Sequence, residues 1–318
     1  MRILLTGSSG WLGRFLARRL RAAGHQVIGL DVARSADTRV VGSVADRAVV
    51  DAAFGDHGVE AVIHAAALHK PDIARYPRQA FVDVNVTGTL HLLEAAVRAG
   101  HDRFVFTSTT SLMISQTIRD EAGEAAAWLD EASGPIEPRN IYGVTKFAAE
   151  QLCRLFTAEH GLATSVLRTA RFFPEEGDTH RALSGENMKA NELLHRRLTV
   201  EDAAEAHLLA LEKGRGHEVF VLSAPPPFAR EDAAELKRDA AAVIARTYPE
   251  AAALYAAKGW RVPERIGRVY DPAKAESLLG WRARTDFAAV LAALRTGAPM
   301  PFAHDAEYVS PAHSAGVI

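Results

Sequence analysis

The chain has a single cysteine, Cys153, which excludes an internal disulfide framework and fits a reducing compartment. Neither charge is in surplus. With 37 basic residues against 39 acidic ones the formal net charge is −2, so there is no basic face for nucleic acid and no like-charged tail. No apolar run approaches the roughly 18 residues of a membrane span. The opening MRILLTGSSG turns polar after three apolar residues, too soon for a signal-peptide core. These absences predict a soluble, cytoplasmic protein that partners neither nucleic acid nor membrane. Lysine is scarce too, seven of the 37 basic residues, so a lysine set on a helix face invites explanation. At 318 residues the chain can bury a sizeable core unaided, and no metal is expected.

What is present is alternation. RILLTG, QVIGLD and EAVIHAAA are short apolar or β-branched runs separated by the helical stretches WLGRFLARRLRAAG and DRAVVDAAFGDHG. DRFVFTST (Asp102 to Thr109) and ATSVLRTA (Ala163 to Ala170) add two strands, each following a helix closed by glycine, Gly100 or Gly161. Such alternation predicts right-handed βαβ units, hence an α/β fold with a Rossmann-type doubly wound parallel sheet. After Arg171 the pattern fades into turns, one late strand in EVFVLSAPPPF, and alanine-rich helices. Among these, DPAKAESLLGW reads as a helix with Asp271 as N-cap, Pro272 in its first turn and Gly280 as its stop. The expected division is a nucleotide-binding domain over 1–170 and 196–223, and a smaller helix-rich C-terminal substrate lobe over 171–195 and 224–318. That lobe would sit at the carboxyl ends of the strands, where open α/β sheets bind ligands.

Between the first strand and first helix lie Gly7, Gly10 and Gly13. A turn this tight, approached by a pyrophosphate, requires bare backbone, and the helix start at Trp11 and Leu12 offers partial positive charge. The spacing is GxxGxxG, and its context strengthens it: Asp31 closes the second strand eighteen residues past Gly13. A carboxylate there accepts hydrogen bonds from ribose hydroxyls and repels a 2′-phosphate, favouring NAD over NADP; Arg34 could instead reach such a phosphate or lie solvated in its loop.

Tyr142 and Lys146 stand four apart within a helical run and share one face. A tyrosine acting as a base near neutrality needs its pKa lowered by roughly three units, about 4 kcal/mol. A lysine ammonium and an oxidised nicotinamide in a poorly hydrated cleft could supply that. Tyr270 and Lys274 repeat the spacing, but Asp271 and Pro272 start a helix after the tyrosine, so those two cannot share a face. The Tyr142 helix also carries apolar residues at helical spacing, Val144, Phe147, Leu152 and Leu155. Thr109, at the end of its strand, could orient a substrate hydroxyl. Thr107, Ser108, Thr110 and Ser111 are neighbouring hydroxyls, and turn capping is an equal reading for any one of them.

In order along the chain, Gly7-x-x-Gly10-x-x-Gly13, Asp31, HAAA (His64 to Ala67), NVTGT (Asn85 to Thr89), FTSTTS and YGVTK resemble the extended short-chain dehydrogenase/reductases, the NAD-dependent epimerase/dehydratase group. The resemblance runs from Met1 to about Arg168 and resumes at RRLTVEDAAEAHLLAL and DPAKAESLLGW. It implies NAD as cofactor, held by the glycine loop with Trp11 and Leu12, by Asp31, by the backbone of Ala65, Ala66 and Ala67, and by a pocket that Asn85 shapes. It also implies Tyr142 as base, Lys146 as the group that lowers its pKa and grips the nicotinamide ribose, and Thr109 as the orienting hydroxyl. His64 and His69 read as satisfied structural histidines. In such enzymes the helix carrying Val86, Leu90, Leu93 and Val97 often pairs with its copy alongside the tyrosine helix, so a homodimer is expected.

The departures narrow the chemistry. Members acting as 4,6-dehydratases carry Asp and Glu after the threonine, where this chain has Thr110 and Ser111, here candidate substrate contacts. Only twenty-five residues separate Arg171 from Arg197, fewer than nucleotide-sugar enzymes use to grip a nucleoside diphosphate. Arg171 could clamp a substrate carboxylate or pair with Glu175, Glu176 or Asp178. The segment SQTIRDEAGEAAAWLDEASG reads as a lid, with Trp128 either anchoring it or stacking on a sugar. The expected activity is reversible hydride transfer at a secondary alcohol of a sugar-like, non-nucleotide and acidic substrate. A UDP-glucose 4-epimerase-like activity and a non-catalytic NAD-sensing regulator are the alternatives.

Overall fold

Short β-branched and apolar runs that alternate with amphipathic helices have one economical solution, a parallel sheet covered on both faces. The computed structural model, which describes residues 1–174, 183–302, 308, 309 and 311, has that architecture. Its elements run β1 (Arg2–Thr6), α1 (Trp11–Ala22), β2 (Gln26–Asp31), β3 (Val40–Val41), α2 (Arg47–His57), β4 (Ala61–His64), α3 (Arg78–Val82), α4 (Gly88–Arg98), β5 (Arg103–Thr109), α5 (Gln116–Arg119), β6 (Ala127–Leu129), α6 (Ile141–His160) and β7 (Ala163–Thr169). They continue with α7 (Gly185–Leu193), α8 (Val200–Lys213), β8 (His217–Leu222), α9 (Ala233–Thr247), α10 (Ala251–Ala257), β9 (Arg268–Tyr270), α11 (Ala273–Leu279) and α12 (Phe287–Thr296). Seven strands form one parallel sheet in the order β3-β2-β1-β4-β5-β7-β8.

The sheet separates two apolar cores. Leu16, Leu20, Leu167, Leu208 and Phe220 fill the face beneath α1 and α8; Leu4, Val62, Phe104, Leu93 and Phe156 fill the face beneath α2, α4 and α6. A third core joins α7, α9, α10 and α12 around Leu193, Leu236, Tyr255 and Phe287. The segment after β9 returns to the sheet, where Leu279 and Trp281 lie in the first core. The segment between β5 and α6 is tied down by β6, which pairs in parallel with β9 (Trp128 opposite Val269). Trp128 acts there as an anchor: its indole N–H donates to Asp271 Oδ2 at 3.0 Å, and the Arg230 guanidinium lies 5.6 Å from its ring centroid.

One expectation needs correction. Helix α11 begins at Ala273 with Pro272 at the cap position, one residue later than expected; Asp271 still accepts from Ala273 N at 3.0 Å, so its capping function survives. The apolar row of α6 is not its buried row. Val144 and Leu155 are 50% and 45% exposed, whereas Thr145, Lys146, Ala149, Glu150, Cys153 and Phe156 face inward. Lys146 and Glu150 can occupy that face because they find partners on the neighbouring strands, and Thr145 because it bonds Asn85 and its own helix. Leu93 of α4 is buried, while Val86 in the turn before it and Leu90 and Val97 are only partly covered.

Candidate active site

The glycine loop, Asp31 and the three alanines, candidates for cofactor contact, lie at the carboxyl ends of β1, β2 and β4. Gly7 follows β1 with φ +72°, and a Cβ there would fall 2.8 Å from Ala66 N, so the loops after β1 and β4 form one continuous floor. A Cβ on Gly13 would fall 2.0 Å from Gly7 O, which sets how closely α1 approaches the turn. Asp31, at the end of β2, accepts from Ser9 N at 2.9 Å and Ala33 N at 3.0 Å, bracing the glycine loop from behind. Helix α1 begins at Trp11 without a side-chain cap, so the amides of its first turn are oriented for an anion. Ala66 N donates to Thr6 Oγ1 at 3.1 Å, and Ala65, Ala66 and Ala67 are partly exposed along the same floor. Asn85, within a π-helical turn, fixes the loop above: it accepts from Leu68 N at 2.8 Å and donates to Leu68 O at 3.1 Å and Thr145 Oγ1 at 3.0 Å. Bare backbone, an uncapped helix start and an acid closing β2 together fit a dinucleotide.

On the other side of the cleft, Asn140 caps α6 by accepting from Gly143 N at 3.0 Å, placing Tyr142 in the first turn and Lys146 one turn deeper. The Thr109 hydroxyl faces the Tyr142 phenol and favours its ionised form. The other four hydroxyls are engaged elsewhere: Thr107 with His207 Nε2 (2.8 Å), Ser108 with Glu150 (2.5 Å), Thr110 with Thr169 O (3.2 Å) and Ser111 with Thr109 (3.0 Å). Thr110 is 5% exposed and turned into the protein, so the structure does not bring it to the cleft as expected; Ser111 is exposed beside Thr109. Lys146 Nζ donates to Thr107 O at 2.5 Å and lies 4.1 Å from the Phe106 ring centroid. Burial pushes Tyr142 up to about 12, opposed by the Thr109 hydroxyl and reinforced by Asp72. Burial also pulls Lys146 down to about 7, with Glu150 and then Cys153 opposing it. The protein alone therefore holds a neutral phenol beside an amine near half-protonation.

His64 is the satisfied structural residue expected, bonded to Thr6 Oγ1 (2.7 Å) and Thr89 Oγ1 (3.0 Å), and burial pulls it down to about 3. His69 instead lies against the site, its ring centroid 5.9 Å from that of Tyr142 and 5.4 Å from that of Phe173. Its sequence context, a histidine after three alanines and a leucine, carried no such signal. Glu175, Glu176 and Asp178 lie outside the described residues. Arg171 meets Glu192 at 3.6 Å, and the same carboxylate takes Arg196 at 3.3 Å and Arg197 at 3.0 Å. Among the described residues, one carboxylate there meets three guanidinium groups, and the Nε atoms of Arg196 and Arg268 are buried without a hydrogen-bond partner. Also absent from the sequence reading is the Glu150–Arg168 pair beneath Lys146, with bonds of 2.8 and 3.1 Å. Its signals were an arginine inside a β-branched strand and a glutamate four residues after Lys146.

The NAD dependent epimerase/dehydratase family model matches residues 3–223. A UDP-glucose 4-epimerase of Rhizobium meliloti (strain 1021) is 32% identical over 175 residues, 52% of this chain and 50% of that protein. An L-arabinose 1-dehydrogenase (NAD(P)(+)) of Haloferax volcanii is 34% identical over 172 residues, 52% of this chain and 65% of that protein. A uronate dehydrogenase of Pseudomonas syringae pv. tomato is 28% identical over 184 residues, 55% of this chain and 60% of that protein. The alignment with the first of these thus spans about half that protein's length. A short-chain dehydrogenase/reductase superfamily protein from Agrobacterium tumefaciens, solved with bound NAD, superposes with a TM-score of 0.64 at 23% identity, covering 93% of this chain and 96% of that one. The chain belongs to the NAD-dependent epimerase/dehydratase family, and NAD is its cofactor. No helix among the described residues is long and apolar enough to cross a membrane.

Proposed function

We propose that this member of the NAD-dependent epimerase/dehydratase family carries out reversible hydride transfer at a secondary alcohol of a sugar-like substrate, with Tyr142 as acid/base. The observation that carries the reading is that Tyr142 and Lys146 lie one turn apart on the inward-facing start of α6, against the end of β5, where Thr109 faces the phenol and Thr107 O takes the amine at 2.5 Å. NAD, when bound, supplies the two-electron acceptor and a positive ring. Thr109 hydrogen-bonds the carbinol oxygen and orients it; Tyr142, ionised, accepts the hydroxyl proton as the carbon gives up its hydride and the carbonyl forms. The Lys146 ammonium stabilises that phenolate. In the reverse direction Tyr142 returns the proton.

The remaining assignments follow from position. The glycine loop, Trp11, Leu12, Asp31, the alanines after β4 and Asn85 hold NAD, while Lys146 also grips its ribose. Arg171 and Ser111 contact substrate. Because Arg171 belongs to an arginine group that outnumbers its carboxylates among the described residues, an anionic substrate is favoured, and we read it as a free sugar acid. The same excess of guanidinium favours the second reading, a nucleotide-sugar 4-epimerase, whose diphosphate it could hold. The lobe built on α7, α9, α10 and α12 supplies the substrate side, and the exposed Val144 and Leu155 mark the face of α6 used in a homodimer. Proton NMR on free uronic acids, aldoses and UDP-sugars incubated with the protein and excess NAD tests this. An oxidised uronic acid supports the first reading; an epimer found only among UDP-sugars replaces it with the second.

A further inference from the structure

Three consecutive residues of β5 meet three successive turns of α6. Thr109 faces Tyr142, the Thr107 carbonyl takes the Lys146 ammonium at 2.5 Å, and the Ser108 hydroxyl donates to Glu150 Oε1 at 2.5 Å. Glu150 lies one turn beyond Lys146 and two beyond Tyr142 on the inward face. Its carboxylate is 2% exposed and receives Arg168 of β7 through Nε at 3.1 Å and Nη2 at 2.8 Å. The register is tight, because Thr169 Oγ1 donates to Ser108 O at 3.1 Å and Thr110 Oγ1 to Thr169 O at 3.2 Å. A shift at Glu150 therefore moves the strand end that carries Thr109.

We propose that Glu150 is a positioning residue of the reaction, locking the Tyr142–Lys146 helix to the end of β5 through Ser108 and to β7 through Arg168, and setting a negative charge one turn below the Lys146 ammonium. It rests on the hydride-transfer reading above. The groups facing Lys146 are few. On α6 they are Tyr142, Glu150 and the Cys153 thiol, which burial pushes up and keeps neutral. From β4 comes His64, pulled down to about 3, and from α8, through Thr107, His207, pulled down to about 4; both are neutral at pH 7. From β7 comes Arg168, already occupied by Glu150. Asp72 faces Tyr142 from the loop after β4. Glu150 is thus the one carboxylate among these that favours the lysine's charged form. Without it, burial acts on Lys146 with only the Thr107 carbonyl hydrogen bond against it, and the ammonium is lost at lower pH.

The test needs no substrate. The full chain labelled with 13C at lysine Cε is titrated by NMR, and the Lys146 resonance is identified by its absence in Lys146→Met. In Glu150→Gln the Lys146 midpoint is expected about one pH unit or more below wild type. In Ser108→Ala, which removes a hydrogen bond but no charge, it stays within a few tenths of a unit. Should Glu150→Gln fail to fold, the Glu150→Met/Arg168→Met double variant replaces the buried pair with apolar side chains, a change that buried pairs often tolerate. A lowered midpoint is expected there too. A wild-type midpoint in either Glu150 variant overturns the proposal. A Tyr142→Phe enzyme with undiminished turnover would instead remove the hydride-transfer reading and leave the titration result standing.

Discussion

The start of α6 and the turn from β9 into α11 carry the same two residues at the same spacing, Tyr142 with Lys146 and Tyr270 with Lys274, and the fold uses them in unrelated ways. At α6 both side chains belong to one helix and meet the end of β5: the phenol faces Thr109 and the amine bonds Thr107 O. At α11 the tyrosine is the last residue of a strand, 3% exposed in the core beneath the sheet, while Lys274 reaches Glu218 at 2.6 Å across the surface. A four-residue spacing has chemical meaning only where the backbone between is helical. Pro272 and the capping Asp271 ensure that the second copy is not.

The largest test of that contrast is removal of each hydroxyl. Tyr142→Phe should lower kcat/KM by about 10²–10⁴-fold, the usual contribution of a positioned acid/base. Tyr270→Phe should leave turnover near wild type, and thermal melting should show only the modest cost of a changed core contact. Equal losses in the two variants would mean that the spacing, not its setting, had been misread.

Stability should separate the two lysines in the opposite direction from activity. Lys146 is pulled down to about 7 in the folded protein against about 10.4 in an unfolded chain. Between those values the unfolded chain binds more protons, so this group makes stability rise with pH across that window. Below pH 7 its full burial cost is present. Lys146→Met should accordingly melt higher than wild type at pH 6, and the gain should shrink as pH climbs toward 10. The same variant should lose most turnover, which would separate function from stability at a single residue.

Away from the comparison, two substrate-side effects are smaller. Arg171→Gln should raise KM for an acidic substrate roughly ten- to a hundredfold with kcat less affected, since a charge-assisted hydrogen bond of about 1.5–3 kcal/mol would be lost. An unchanged KM would assign Arg171 to its Glu192 pairing alone. Asp31→Ala should weaken NAD binding and narrow its preference over NADP, read by fluorescence titration. Tighter binding of NADP than NAD by the wild-type protein would remove Asp31 from the ribose site.

The sequence made the sheet legible because its strands are short apolar runs punctuated by glycine, and it made the cleft legible because Gly7, Gly13 and Asp31 are constrained by backbone geometry that few other residues satisfy. It identified α6 but not the helix's inward face. An apolar row and a polar row run along the same helix, and periodicity favours the apolar one; burial went to Lys146 and Glu150 because β5 and β7 offered partners that only the folded register supplies. The arginine group had the same character. Arg171, Glu192 and Arg268 are distant in sequence, and no local rule joins them. His69 lies beside Tyr142 through the packing of Phe173, again a contact between separate loops.

The smallest effect closes the comparison. Lys274 and Glu218 are 31% and 37% exposed, so solvent screens their attraction and holding two long side chains together costs entropy. Lys274→Met should change stability by less than about 1 kcal/mol, within the range of exposed pairs, and leave the pH dependence of melting unaltered. Lys146→Met should alter both. If Lys274→Met also raised the melting temperature most strongly at low pH, the lysine at α11 would have to be far more desolvated than its position on the surface allows, and the contrast between the two tyrosine–lysine pairs would lose its physical basis.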